Sequence, residues 1–147
     1  DPAKPADSQL TATVDPRSIE TDFPNPAQID FNAKLHGKEW LDAAQFPQMK
    51  YVSKRIEMSG EKSMRIHGEL TLHGVTKPMI LNATYNGGYA GHPMDPHARI
   101  GFSAQGVLKR SDFGISYGIP EPGTTMGVGD EVAVILEVEL SGPPLAQ

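Results

Sequence analysis

The chain has 147 residues, about one domain's worth, and 13 basic against 18 acidic side chains give it a formal charge of −5. This balance argues against a nucleic-acid-binding surface. The absence of cysteine excludes disulfides, thiolate metal sites and a cysteine nucleophile. Fifteen glycines and 13 prolines leave little room for long helices. The longest apolar run, residues 132–136, is far shorter than the roughly 18 residues of a membrane-spanning segment, so we expect no membrane span.

Polar and apolar residues alternate in six segments, which is typical of strands with one buried face. The predicted strands cover residues 8–14, a segment from Met49 to a hairpin turn at Gly60, 63–73, 78–86, 98–108 and 131–140. Strands this long and this evenly alternating favour an antiparallel barrel over a compact sandwich.

The segments between the strands are rich in turn-forming residues. Residues 15–37 read as a long irregular connection, and residues 38–45 as the one short helix, with Trp40, Leu41 and Ala44 on one face. Asn86-Gly87-Gly88 is a strong turn signal. We expect loops over residues 89–97 and 119–130.

Residues 70–78, Leu-Thr-Leu-His-Gly-Val-Thr-Lys-Pro, resemble the central signature of the YceI-like proteins. Further stretches agree with that family in order and spacing, and together they cover nearly the whole chain: residues 14–21, 40–47, 99–106, 110–115 and 128–132.

The resemblance implies an all-β fold, an antiparallel lipocalin-like β-barrel with one short helix, exported to the bacterial periplasm. It also implies a non-enzymatic protein that binds a polyisoprenoid, such as a quinone tail or a prenyl phosphate, and requires no other cofactor. The family's tendency to dimerise makes a homodimer an expected partner.

Two features depart from the family pattern. The family domain opens with further strands before the segment that begins here at Asp1, so we expect a single domain over residues 1–147 that lacks its first strands. Either roughly 30–45 further residues precede Asp1, or a second protomer completes the sheet. In residues 33–37, Lys34 and His36 flank Leu35 where the family has His and Arg.

The inward apolar faces allow two interpretations, a closed core or a ligand tunnel, because both need the same alternation. The resemblance favours the tunnel, and Ala83, Ala104 and Gly106 would leave room in it. Its predicted walls are Met49, Tyr51, Ile66, Leu70, Leu81, Phe102, Leu136 and Val138. Trp40, Leu41 and Phe46 either plug one end of the barrel or contact the ligand at its mouth.

Lys34, His36 and Arg99 are candidates for holding a polar headgroup, because each lies near a loop or a strand start; the alternative is ordinary solvated charge. We expect no metal site, since His67 and His73 would lie about 20 Å apart on the outward face of one strand. No motif for nucleophilic catalysis is present. The sequence therefore predicts a lipid carrier or, as the alternative, a structural or regulatory interaction module with a filled barrel.

Overall fold

The computed structural model describes residues 4–22 and 27–144, which form one antiparallel sheet of six strands. The strands are β1 (Thr11–Val14), β2 (Met49–Met58), β3 (Ser63–Leu72), β4 (Val75–Tyr89), β5 (His97–Lys109) and β6 (Glu131–Pro144). The helical elements are α1 (Phe31–His36) and three short 3₁₀ segments, Pro5–Asp7, Pro16–Ser18 and Arg110–Phe113. Each strand pairs with its neighbour in sequence, so β1 and β6 are the two edges among the described residues. The predicted all-β class is confirmed.

The sheet is curled, and one face carries the apolar core. The alternation predicted for the inner strands is confirmed, because alternate apolar residues are buried on one face: Met64, Ile66 and Leu72 of β3 and Met79, Leu81 and Ala83 of β4. The main cluster consists of Tyr51, Ile56, Met64, Ile66, Met79, Leu81, Ala83 and Ala104. Side chains from the two edges of the sheet pack against this cluster: Leu10 and Ala12 at β1, and Val134 and Leu136 in β6. We call this apolar side the concave face.

A second apolar cluster lies at one end of the concave face. It contains Trp40, Leu72, Phe113 and Ile115, with Met49 and Leu108 packed against it. Strand register places the start of β2, the end of β3, the start of β4 and the end of β5 at this same end. We call it the closed end. The opposite end, which carries the β2–β3 turn and the β4–β5 loop, is the hairpin end.

Glycines let large side chains lie flat on the concave face. A Cβ atom at Gly68 would collide with the Tyr51 ring and stand 2.6 Å from the Val52 carbonyl oxygen. A Cβ at Gly106 would stand 2.5 Å from Met79 Cε and 2.9 Å from Leu81 Cδ2. The neighbouring side chains therefore occupy the space that a larger residue would fill.

The predicted helix over residues 38–45 is wrong. The helix is α1, within the segment predicted to be irregular, and residues 38–45 form a series of turns. Asp30 caps α1, because its carboxylate oxygen accepts from Ala33 N at 2.9 Å, and the chain leaves the helix at Gly37. Asp42 adopts a left-handed conformation with φ 41°, which interrupts helical geometry directly after Trp40 and Leu41.

Two further local predictions are wrong. Asn86-Gly87-Gly88 is not a turn but lies inside β4, where the register shifts between Tyr85 and Gly87. The extra residue forms a bulge, which glycine at φ 133° accommodates. His73 is not on a strand face but in the β3–β4 turn, with φ 51°. Its Nδ1 lies 3.1 Å from the Phe113 carbonyl oxygen, and its ring packs edge-on against Phe46.

Replacing Gly68 with alanine tests the contact between Tyr51 and the sheet. We expect Gly68→Ala to lower the free energy of unfolding by about 1–3 kcal/mol, because Tyr51 and the backbone of Val52 must shift. Gly101→Ala on β5 is the matched control, since its Cβ would meet its nearest neighbour, Asn86 Cβ, at 3.7 Å. Urea unfolding of both variants measures the difference. Equal stabilities would contradict the close packing.

Candidate functional site

The predicted tunnel walls all lie on the concave face but differ in exposure. Tyr51, Ile66 and Leu81 are buried, with Leu81 only 1% exposed, whereas Val138 is 45% exposed. Met49, Leu70, Phe102 and Leu136 are half-buried. The middle of the concave face is thus packed, and its β6 side is open to solvent.

The exposed part is continuous. Register pairs Tyr85 with Phe102, Phe102 with Val138, and Ile100 with Leu140, so five apolar side chains lie together across β4, β5 and β6. The Tyr85 and Phe102 rings are 5.5 Å apart. Leu140 is 46% exposed, like Val138. We call Tyr85, Ile100, Phe102, Val138 and Leu140 the apolar strip; it begins at the hairpin end and borders the main core cluster.

Tyr51 anchors the floor beside this strip. Its hydroxyl donates to the carbonyl oxygens of Ile66 at 2.8 Å and Met79 at 3.2 Å. Burial raises the pKa of the phenol to about 12. Tyr51 is therefore a neutral donor fixed to the sheet, and the surface that it presents is its ring.

The closed end is sealed by three side chains that we call the plug: Trp40, Phe113 and Ile115. Phe113 and Ile115 are each 3% exposed. The Trp40 ring meets Tyr117 edge-on with the ring centroids 5.7 Å apart, and Phe31 lies 6.4 Å away. Leu41 packs against this cluster, while Phe46 packs beside His73. Trp40 is thus packed at the closed end, a position compatible with both the plug and the ligand-contact interpretations.

A buried arginine, which the sequence did not reveal, holds the plug in place. Arg110 lies over the Trp40 ring, with Cζ 4.8 Å from the ring centroid. Its guanidinium donates to the carbonyl oxygens of Ile115, Tyr117, Val128 and Gly129 at 2.6–3.1 Å. Burial lowers the pKa of Arg110, and the charge of Asp130 opposes that shift. Arg110 lies in one of the segments that resemble the family, but no sequence pattern indicates that its side chain is buried.

Asp130 makes a further set of hydrogen bonds at the closed end. Its carboxylate accepts from Ser111 N at 2.8 Å and from Ser111 Oγ at 2.7 Å. The bond from the Ser111 backbone is the main reason that the pKa of Asp130 lies below its usual range. The start of β6 is thereby tied to the 3₁₀ segment Arg110–Phe113.

The three predicted headgroup residues do not come together. Lys34 is exposed on α1 near the closed end, and His36 Nε2 lies 3.1 Å from the Ile19 carbonyl oxygen. Arg99 is at the hairpin end, on the outer face, where it pairs with Glu139 at 2.7 Å and Asp95 at 3.3 Å. The hydrogen bond that Arg99 donates to the Glu139 carboxylate is the main cause of the raised pKa of Arg99.

The outer face of β2 and β3 carries a separate charged cluster. Glu57 accepts from Arg65 at 3.1 Å and lies 3.2 Å from His67 Nε2 and 3.4 Å from Arg55. The contact with His67 is the largest of the effects that lower the pKa of Glu57. In the described part of the chain, no three His, Asp or Glu side chains converge as metal ligands would.

Comparison with known proteins identifies the family. Residues 1–140 match the model of the YceI-like domain. The chain belongs to the YceI-like family. A UPF0312 protein of Pseudomonas savastanoi pv. phaseolicola is 38% identical over 117 residues, which are 78% of this chain and 56% of that protein. A UPF0312 protein of Pseudomonas fluorescens is also 38% identical over the same shares of the two chains. The chain thus spans little more than half the length of these curated relatives.

Solved structures agree with the assignment. The YceI protein of Campylobacter jejuni superposes with a TM-score of 0.77 at 26% identity, covering 92% of this chain and 73% of that one. BcnA of Burkholderia cenocepacia gives a TM-score of 0.77 at 27% identity, covering 95% of this chain and 79% of that one. Among the described residues, no helix has the length and apolar character needed to cross a membrane.

The buried phenol of Tyr51 predicts an alkaline stability loss. Its pKa in the folded state, about 12, lies above the ordinary value of 10.0, so folding favours the protonated form. This contribution is complete below pH 10 and is lost as the pH rises through about 12. We expect Tyr51→Phe to weaken the pH dependence of the free energy of unfolding in that interval, measured by urea unfolding. An identical pH profile in the two proteins would contradict the assignment.

Proposed function

We propose that this protein binds a long polyisoprenoid, such as a quinone tail or a prenyl phosphate, along its concave face. It acts as a carrier or sequestering protein in the periplasm rather than as an enzyme. The YceI-like family is known for polyisoprenoid binding and for periplasmic location, which supports the proposal. The observation that carries it is the apolar strip, whose uncovered side chains continue the buried core.

The strip gives a long apolar chain a favourable place to bind. Burying apolar surface contributes roughly 25 cal/mol per Å², or about 0.8 kcal/mol for each methylene. From Val132 to Leu140 the concave side of β6, which includes two residues of the strip, extends about 26 Å at about 3.3 Å per residue, and none of its side chains is fully buried. A tail lying along this distance buries many methylenes, so it needs no charged partner for tight binding.

The alternative is a structural or regulatory interaction module with a filled barrel. The packing of Tyr51, Leu81, Ala83 and Ala104, none more than 6% exposed, favours it. In that case the apolar strip is covered by another polypeptide, for example in a homodimer. The two functions differ in what the strip contacts, and therefore in what co-purifies with the protein.

A charge placed in the strip tests the proposal. Val138→Asp puts a carboxylate where the tail would lie, and burying it unpaired is unfavourable. We expect more than a tenfold loss of affinity for geranylgeraniol, equivalent to about 1.4 kcal/mol or more, measured by native mass spectrometry. Lipid mass spectrometry of the purified protein should show the same loss of bound isoprenoid.

Ile135→Asp is the matched control, because Ile135 lies on the same strand, faces outward and is 66% exposed. It should bind geranylgeraniol as the original chain does. If Val138→Asp stays folded and keeps its affinity, the strip is not the binding surface. The purified protein could instead carry no lipid but a co-purifying polypeptide. If Val138→Asp removes that polypeptide, the interaction module is supported.

Salt and tail length separate tail binding from headgroup binding. Apolar burial is not screened by ions, so we expect affinity for prenyl phosphates to change less than about twofold between low and high salt. Affinity should rise with each isoprene unit until the binding groove is full. A strong salt dependence without a length dependence would instead indicate headgroup recognition, for which Lys34, His36 and Arg99 remain the predicted residues.

A further inference from the structure

We infer that the plug is the blind end of the binding groove and sets the longest isoprenoid tail that fits. The inference rests on the proposed function and adds a direction to it. The tail's terminal unit abuts Trp40, Phe113 and Ile115, and the polar end of the ligand leaves at the hairpin end.

The position of the plug is the first argument. It packs against Leu72 and Leu108, which lie on the concave face at the closed ends of β3 and β5. Val132, which pairs with Leu108 at the closed end of β6, is 38% exposed, and no residue of β6 is fully buried. A tail that follows the concave side of β6 from the apolar strip therefore reaches Leu108 and the plug next.

The rigidity of the plug is the second argument. Apolar side chains alone can move aside for a ligand, but Trp40 lies beneath a guanidinium that bonds to four backbone carbonyl oxygens. Those carbonyls belong to both ends of the connection between Phe113 and β6. Because these bonds fix the guanidinium, displacing Trp40 would cost the contact between its ring and the charge above it.

The hairpin end differs from the closed end in both the exposure and the fixation of its apolar side chains. The strip residues Val138 and Leu140 are nearly half exposed there, and Met94 in the β4–β5 loop is 91% exposed. Nothing comparable to Arg110 and Trp40 covers the strip among the described residues. Of the three predicted headgroup residues, Arg99 is the one at this end, whereas Lys34 and His36 lie near the plug.

The single tryptophan provides a direct readout, because Trp40 is the only one in the chain. The probes are geraniol, farnesol, geranylgeraniol and solanesol, with binding measured independently by native mass spectrometry. We expect the shorter alcohols to bind without changing Trp40 fluorescence. Alcohols long enough to reach the plug should change it, and beyond that length affinity should stop rising.

Removing volume from the plug should move this limit. Phe113→Ala should let a longer alcohol reach its maximum affinity, and Ile115→Val, a milder change that keeps the fold, should act in the same direction. Phe102→Ala in the apolar strip is the matched control, since it removes the same side chain without lengthening the groove. It should weaken all lengths by a similar factor and leave the limit unchanged.

Each result has a distinct meaning. An unchanged length limit in folded Phe113→Ala and Ile115→Val overturns the inference, and so does a Trp40 response that is equal for all bound lengths. In either case the proposed function stands, because the alcohols still bind. If no alcohol of any length binds the original protein, the proposed function fails, and the inference fails with it.

Discussion

The closed end of the molecule depends on the bonds of one buried guanidinium. The connection between Phe113 and β6 has no regular structure, so its carbonyl groups find no partners in a helix or a sheet. Arg110 supplies donors to four of them and at the same time covers Trp40. Without it, the buried Ile115 carbonyl would lack a donor at a cost of about 1–3 kcal/mol, and the other three carbonyls would lose the group that holds them together. The plug is therefore fixed by polar bonds made just behind it.

The concave face owes its shape to a different constraint. Tyr51 lies over Gly68, and Met79 and Leu81 lie over Gly106, because glycine leaves the space above the backbone free. Large side chains thus lie along the sheet instead of standing on it. The result is a smooth apolar floor, with the Tyr51 hydroxyl hidden against backbone carbonyls and only its ring facing inward.

The strands could be predicted from the sequence because period-two alternation is a direct consequence of one-sided burial. The position of the helix could not be predicted in this way. Trp40, Leu41 and Ala44 have helical spacing, but Ala44 is exposed, and Trp40 is buried by packing under Arg110 and in a cluster with Phe113, which are distant in sequence. The pattern around Asn86-Gly87-Gly88 was also ambiguous, since glycine suits a hairpin turn and a bulge equally well.

The face on which each candidate residue lies could be predicted, but its exposure could not. Alternation placed Leu81 and Val138 on one face, yet Leu81 is 1% and Val138 45% exposed. The difference arises from strand order, because β4 has a strand on each side whereas β6 pairs only with β5 among the described residues. Strand order is not encoded in the period of any single segment. The same limit explains Arg99, whose outward direction and two carboxylate partners come from β6 and the β4–β5 loop.

The two ends of the concave face therefore meet opposite requirements. At the closed end, buried polar bonds fix apolar side chains in one arrangement, so little can move to admit a ligand. Along the apolar strip, exposed apolar side chains gain free energy when any long apolar surface covers them. Under the proposed function, a flexible isoprenoid follows the curled floor and stops where the floor stops. Under the alternative, a polypeptide that covers the strip has to match the curvature of the sheet there.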